Sequence, residues 1–149
     1  MTNTAQLPAL VSIGYERRAV EELVRLLTEN RVEVLVDVRL TPISRKKGFS
    51  KSSLAQTLGE VGIEYRHERR LGNPKENREP FRQGLEPARA RYLRHLKNGA
   101  SSAYRDILEL AGGACVALLC FERDHRECHR SCIADAAQAD HPALRVIEL

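Results

Sequence analysis

The chain has 149 residues, 42% of them apolar and 30% charged, with a net charge of +4 and a pI of about 9.0. That size suits one domain with a real core, and that balance excludes a disordered chain. No apolar run approaches ~18 residues, so no membrane span is expected. The start, "MTNTAQLPAL", lacks the basic segment and long apolar stretch of a secretory signal, so a cytoplasmic location is expected.

Residues 1–8 read as a flexible N-terminal tail and 9–149 as a single domain. "LPALVSIG" predicts a buried strand over 9–13. Val20, Leu23, Val24 and Leu27 at helical spacing predict an amphipathic helix over about 17–30. "VEVLVDVR" reads as a strand buried on both faces. An irregular loop, "LTPISRKKGF", leads to Ser50, the expected N-cap of a helix running to about 61. "IEYRH" is a short strand. The polar, proline-containing stretch that follows reads as a long exposed loop, with 71–84 as a lid. Two helices are expected over about 86–97 and 102–111. "ACVALLCF" is the strongest strand, followed by a charged turn, a helix over about 129–139 and a closing strand in "ALRVIEL". Strands alternating with helices predict an α/β three-layer sandwich: a mostly parallel sheet of about five strands with helices on both faces.

The polar residues have a positional logic. Gly14 and Tyr15 follow the first strand. Asp37 and Arg39 end the second, and Ser44, Arg45 and Lys46 lie just beyond. His67 ends the third, followed by Arg70 and Asn73. The fourth ends near Cys120 and Glu122, then reaches Cys128, His129 and Arg130 at a helix start. All follow the carboxyl ends of strands, the edge where open α/β sheets bind ligands. The helix-to-strand connections at the opposite edge are short and chemically plain. The cations and helix starts on the richer edge suit an anion or phosphate, although no dinucleotide or triphosphate glycine fingerprint is present.

Four cysteines, at 115, 120, 128 and 132, lie in the last quarter of the chain and are expected as reduced thiols. Cys115 and Cys120, five apart on one strand, point to opposite faces and cannot share an ion. Cys120, His125, Cys128 and His129 match no familiar paired zinc knuckle, so no metal and no cofactor is expected. Cys120 and Arg126 form a C-x5-R spacing, but Glu122 and Asp124 would repel a phosphate cradled there. Cys128 beside a helix start, flanked by His129 and Arg130, has surroundings that favour a thiolate. It is equally placed to pack one turn from Cys132.

"SIGYE", "LVDVRLTPISRKKGFS", "GIEYRHERRLGN" and "ALLCFERDHRECHR" together resemble the DUF488 family over about residues 10–140. The family elements D-V-R, P-x-S-R, G-F, L-G-N and C-H-R fall on Asp37–Arg39, Pro42–Arg45, Gly48–Phe49, Leu71–Asn73 and Cys128–Arg130. Many relatives carry a proline before C-H-R, where this chain has Asp124–Glu127. The resemblance implies an α/β fold and supplies no reaction.

The expectation is an enzyme, a hydrolase or transferase, acting on a phosphate-bearing nucleotide or nucleic acid. Asp37, His67, Glu122 and Cys128 are the expected catalytic residues. Gly14, Tyr15, Arg39, Ser44, Arg45, Lys46, Arg70, Asn73, His129 and Arg130 are the expected ligand-binding residues. The alternatives are a non-catalytic nucleic-acid-binding module and a structural ion-pair network with no ligand site. No membrane partner is expected, and the sequence fixes neither an oligomeric state nor a strand order.

Overall fold

Five parallel strands form one sheet in the order β3-β2-β4-β1-β5 in the computed structural model, which describes residues 8–149. The expected tail, residues 1–8, lies outside the described residues apart from Pro8. In chain order the elements are β1 (Ala9–Gly14), α1 (Val20–Glu29), β2 (Val34–Asp37), α2 (Lys51–Glu60) and β3 (Glu64–His67). They continue with α3 (Lys75–Arg82), α4 (Glu86–Lys97), α5 (Ser101–Ala111), β4 (Cys115–Cys120), α6 (Arg130–Asp140) and β5 (Val146–Glu148).

The central strands β1 and β4 are buried at every position, because both sheet faces are covered. Their alternating residues feed two cores. Val11, Ile13, Ala117 and Leu119 pack with Leu23 and Leu27 of α1 and Leu54 and Leu58 of α2. Leu10, Val116 and Leu118 pack with Phe81, Tyr92, Ile107 and Ile133 from α3 to α6. Cys115 and Cys120 fall in opposite cores, as their spacing requires.

This wiring fixes where a site can form. The chain leaves β1 and β2 toward the α1–α2 face, and leaves β3 and β4 toward the α3–α6 face. Strand β4 sits between β2 and β1, so its carboxyl end is flanked on both sides by connections diverging to the other face. That is a topological switch point, where a crevice opens at the strand ends. Register keeps those ends level, with Gly14 beside Cys120 and Asp37 beside Leu119 and His67.

Three local expectations are corrected. The predicted loop over 71–84 contains α3. Asn73, Asn77 and Phe81 recur at four-residue spacing and are all buried. Asn77 Nδ2 donates to Asn73 Oδ1 and to the Ala88 carbonyl, both at 3.0 Å, and Phe81 meets Tyr92 edge-on. Side-chain bonding and one aromatic anchor therefore hold a helix whose composition reads as loop. Ser50 occupies the expected cap position but does not cap α2. Its Oγ accepts from the Ser44 N–H at 3.0 Å and donates to the Ser44 carbonyl at 3.1 Å, closing the loop between them. Helix α1 begins three residues late because Arg17 takes a left-handed φ of 58°.

Candidate functional site

The segment after β4 builds the site. Asp124 accepts a bond from the Arg126 N–H at 2.9 Å and starts a 3-10 turn over His125–Glu127. The turn returns the chain to the sheet edge. The Cys128 carbonyl then accepts from the Ser131 N–H at 3.0 Å and from Ser131 Oγ at 2.8 Å, fixing the first turn of α6. His129 Nε2 lies 2.9 Å from the Val38 carbonyl at the end of β2. A carbonyl can only accept, so Nε2 carries the proton in that bond and the neutral ring keeps its lone pair on Nδ1. Nδ1 lies 3.6 Å from Cys128 Sγ, and the Tyr92 ring packs edge-on against the imidazole.

This geometry sets the electrostatics. Burial alone would push the Cys128 thiol up. A hydrogen bond from Cys120, with the positive charge of Arg130 and the presence of His129, outweighs burial and holds it well below the ordinary thiol range. The same bond, with burial, pushes Cys120 well above that range. Within the pair, the negative charge is therefore favoured on Cys128 and the proton on Cys120. Burial favours neutral His129, but the adjacent Cys128 charge raises it overall. Glu122 is raised by burial and then by the Cys128 charge. Its Oε1 accepts from Arg82 Nη2 at 3.0 Å, while Oε2 is buried without a partner among the described residues.

Arg130 explains why Gly14 is a glycine. The guanidinium is fully buried, and its Nη2 donates to the Glu122 carbonyl at 2.5 Å. A Cβ on Gly14 would lie 1.9 Å from that carbonyl oxygen and 2.9 Å from Arg130 Nη1. Gly72 is required similarly, since its Cβ would fall 2.5 Å from the Leu40 Cα. These two glycines let loops from neighbouring strands close on one another.

A cavity of about 220 Å³ opens at the switch point. Cys120, Glu122, Cys128 and His129 line it on one side; Tyr15, Arg39, Asn73, Arg78 and Arg82 line it elsewhere. Ile43 and Phe121, both exposed, add apolar surface.

The expected residues thus separate. Glu122, Cys128, His129, Tyr15, Arg39 and Asn73 meet at the cavity. Arg130 and Gly14 are built in behind it. Asp37 is fully buried, taking Arg39 Nε at 2.9 Å, Arg39 Nη2 at 2.6 Å and the Tyr65 hydroxyl at 2.5 Å. His67 Nε2 meets the Arg39 carbonyl at 2.9 Å. Neither lines the cavity, and both brace Arg39, which also reaches the Tyr15 hydroxyl at 3.3 Å. Ser44 closes its own loop. Lys46 lies over the Phe49 ring, Arg70 pairs with Glu68, and Arg45 is exposed; none of these four lines the cavity. Arg126 pairs with the Asp135 carboxylate at 2.9 Å, so the C-x5-R spacing builds no cradle.

Sequence reasoning missed Arg78 and Arg82, because α3 was read as loop. It also left Cys120 out of the site. The signal for Cys120 was its place at the end of β4, level with Gly14.

The fold and site define an open parallel α/β protein with a buried cysteine–histidine pair at its switch point, facing a small arginine-walled cavity. The chain belongs to the DUF488 family, described as a domain of unknown function and matched over residues 19–137. Comparison with curated proteins and with solved structures gives no match. No helix among the described residues is long and apolar enough to cross a membrane.

Proposed function

We propose that the protein is a thiol-dependent hydrolase or transferase acting on a small phosphate-bearing ligand, a nucleotide in preference to a nucleic-acid chain. The observation that carries this reading is the convergence of Cys128, His129 and Glu122 with Arg78 and Arg82 on one cavity. Arg39, Arg45 and Arg130 were the expected anion clamp. Arg39 is neutralised by Asp37, Arg45 lies outside the cavity lining and Arg130 lies behind it, so the clamp passes to Arg78, which pairs with no carboxylate among the described residues, with Arg82, shared by Glu79 and Glu122, beside it. At about 220 Å³ the cavity takes one small group, not a polymer backbone. Exposed Phe121 and Ile43 offer apolar surface to the rest of such a ligand.

In the reaction, the Cys128 thiolate attacks an electrophilic carbon or phosphorus of the bound ligand. The bond to the leaving oxygen breaks, and that oxygen takes its proton from Glu122, whose carboxyl burial and the Cys128 charge shift toward the protonated form. Water, or a second acceptor, then releases the product from sulfur and returns the proton to Glu122.

The test is alkylation of the reduced, chelator-treated protein by iodoacetamide, with each cysteine followed by mass spectrometry. Cys128 should react ahead of Cys120. Its rate should fall far less than that of an ordinary thiol as pH drops from about 8 to about 6, over which a thiol of pKa ~8.5 loses well over tenfold. The sign follows from the lowered thiol, which stays ionised down to its own lower pKa. Nucleoside monophosphates should protect Cys128, and Arg82→Ala should remove that protection. A Cys128 rate that tracks an ordinary thiol sinks the nucleophile; selective alkylation without protection sinks the ligand class. Saturable nucleotide binding without turnover would favour the non-catalytic reading.

A further inference from the structure

We infer that Cys120, Cys128 and His129 form a binding site for a thiophilic divalent ion, zinc by the chemistry of its ligands, with a fourth position open to the cavity. Three geometric observations carry this.

First, the two Sγ atoms and a ring nitrogen of His129 all lie within 4.8 Å of one another. The Cys128 Sγ to His129 Nδ1 separation is 3.6 Å. Zinc bonds of ~2.3 Å to sulfur and ~2.05 Å to nitrogen, set at the tetrahedral angle, place those two ligands ~3.6 Å apart. The remaining separations, at most 4.8 Å, need close by no more than about 1.2 Å to complete the same triangle.

Second, the imidazole is already set in the orientation a metal requires. Its Nε2 is held by the Val38 carbonyl at 2.9 Å, so Nδ1 is the free nitrogen and faces the sulfur. A carbonyl that fixes the tautomer and ring plane is the usual outer partner of a ligating histidine. The Tyr92 ring against the imidazole adds a second restraint.

Third, the cluster is buried yet reachable, because all three residues line the cavity. Two thiolates and a neutral imidazole balance the charge of the divalent ion itself. Glu122 lines the same cavity, and its Oε2 has no partner among the described residues. A set of two sulfurs and one nitrogen selects zinc over magnesium or calcium.

This inference goes beyond the proposed reaction and stands without it. Zinc on Cys128 takes that sulfur out of service as a nucleophile, so the two uses exclude each other at any moment. The chain spacing hid the site, because the nine residues from Cys120 to Cys128 resemble no knuckle until the 3-10 turn folds them back.

The experiment is titration of the full-length, metal-free, reduced protein with cobalt(II), followed by displacement with zinc. The expected result is saturation at one ion per chain, with the visible bands of tetrahedral cobalt and a sulfur-to-cobalt charge-transfer band that zinc abolishes. Cys120→Ser and Cys128→Ser should each weaken binding by at least about 100-fold, the upper end of the loss from an outer partner alone. Cys115→Ser, in the opposite core, should bind as the parent does. Failure of the parent protein to give a stoichiometric sulfur-to-cobalt band overturns the inference, whether or not the variants fold. So does unchanged affinity in a folded Cys120→Ser. The proposed reaction fails separately, through Cys128 alkylation in zinc-free protein. Activity that requires zinc would support the metal site while refuting the thiol nucleophile.

Discussion

Replacing Asp37 by Asn asks whether the D-V-R element serves chemistry or structure. Asp37 is fully buried and accepts four hydrogen bonds: three from Arg39, through its backbone N–H, Nε and Nη2, and one from Tyr65. Asn keeps the shape, removes the charge and turns one acceptor into a donor facing Arg39 or Tyr65. The buried Arg39 guanidinium is then uncompensated, a loss of about 3–5 kcal/mol. A domain of this size loses about 2–4 °C of melting temperature per kcal/mol, so Asp37→Asn should melt roughly 6–20 °C lower. The double variant Asp37→Asn, Arg39→Met removes the stranded charge and should recover part of that loss. The assay is thermal unfolding by circular dichroism, with a urea series to complete the double-mutant cycle. If Asp37→Asn melts within ~2 °C of the parent, or the double variant is no better than the single, the structural assignment is wrong. A stable but inactive Asp37→Asn would restore Asp37 as a proton carrier.

Gly14→Ala should act on the site without touching a ligand. The new Cβ would lie 1.9 Å from the Glu122 carbonyl oxygen, so the β4–α6 connection must move. A loss of about 1–3 kcal/mol is expected on melting, with loss of the Cys128 preference in alkylation; a variant that melts and alkylates like the parent would refute the packing role. Phe81→Ala tests whether α3 is core or lid. Phe81 is buried against Tyr92, so truncation should cost about 3–5 kcal/mol in urea unfolding. An effect below about 1 kcal/mol would return 71–84 to the status of a mobile lid.

The sheet was legible because apolar strand runs and helical periodicity are properties of short windows. So was the edge carrying the site, since in a parallel sheet all carboxyl ends share one edge. What stayed hidden depends on burial. Asp37 and Glu122 look alike in sequence, each a carboxylate at a strand end, yet one is locked by Arg39 and Tyr65 and the other faces a cavity. Helix α3 escaped because its inward face is Asn73, Asn77 and Phe81, two amides and one aromatic in place of an apolar stripe. Arg78 and Arg82 were lost with it. Cys120 and Cys128 were judged by linear spacing, whereas a 3-10 turn sets their distance.

Arg130 ties these observations together. It is fully buried, its Nε and Nη1 have no partner among the described residues, and none of the ion pairs there neutralises it. A buried charge is tolerated only when something compensates it. Cys128 sits in the field of that guanidinium, which favours its ionised form. The C-H-R element is therefore one electrostatic unit. Arg130 supplies the charge, His129 is oriented by the Val38 carbonyl, and Cys128 carries the anion they stabilise. Anything electrophilic that enters the cavity, whether a metal ion or a reacting carbon or phosphorus, meets that sulfur. The arginines that would hold an anionic ligand stand apart from it on α3. In the proposed reaction, recognition and reactivity thus come from different segments, and Glu122 joins them by accepting from Arg82 while facing the Cys128 charge.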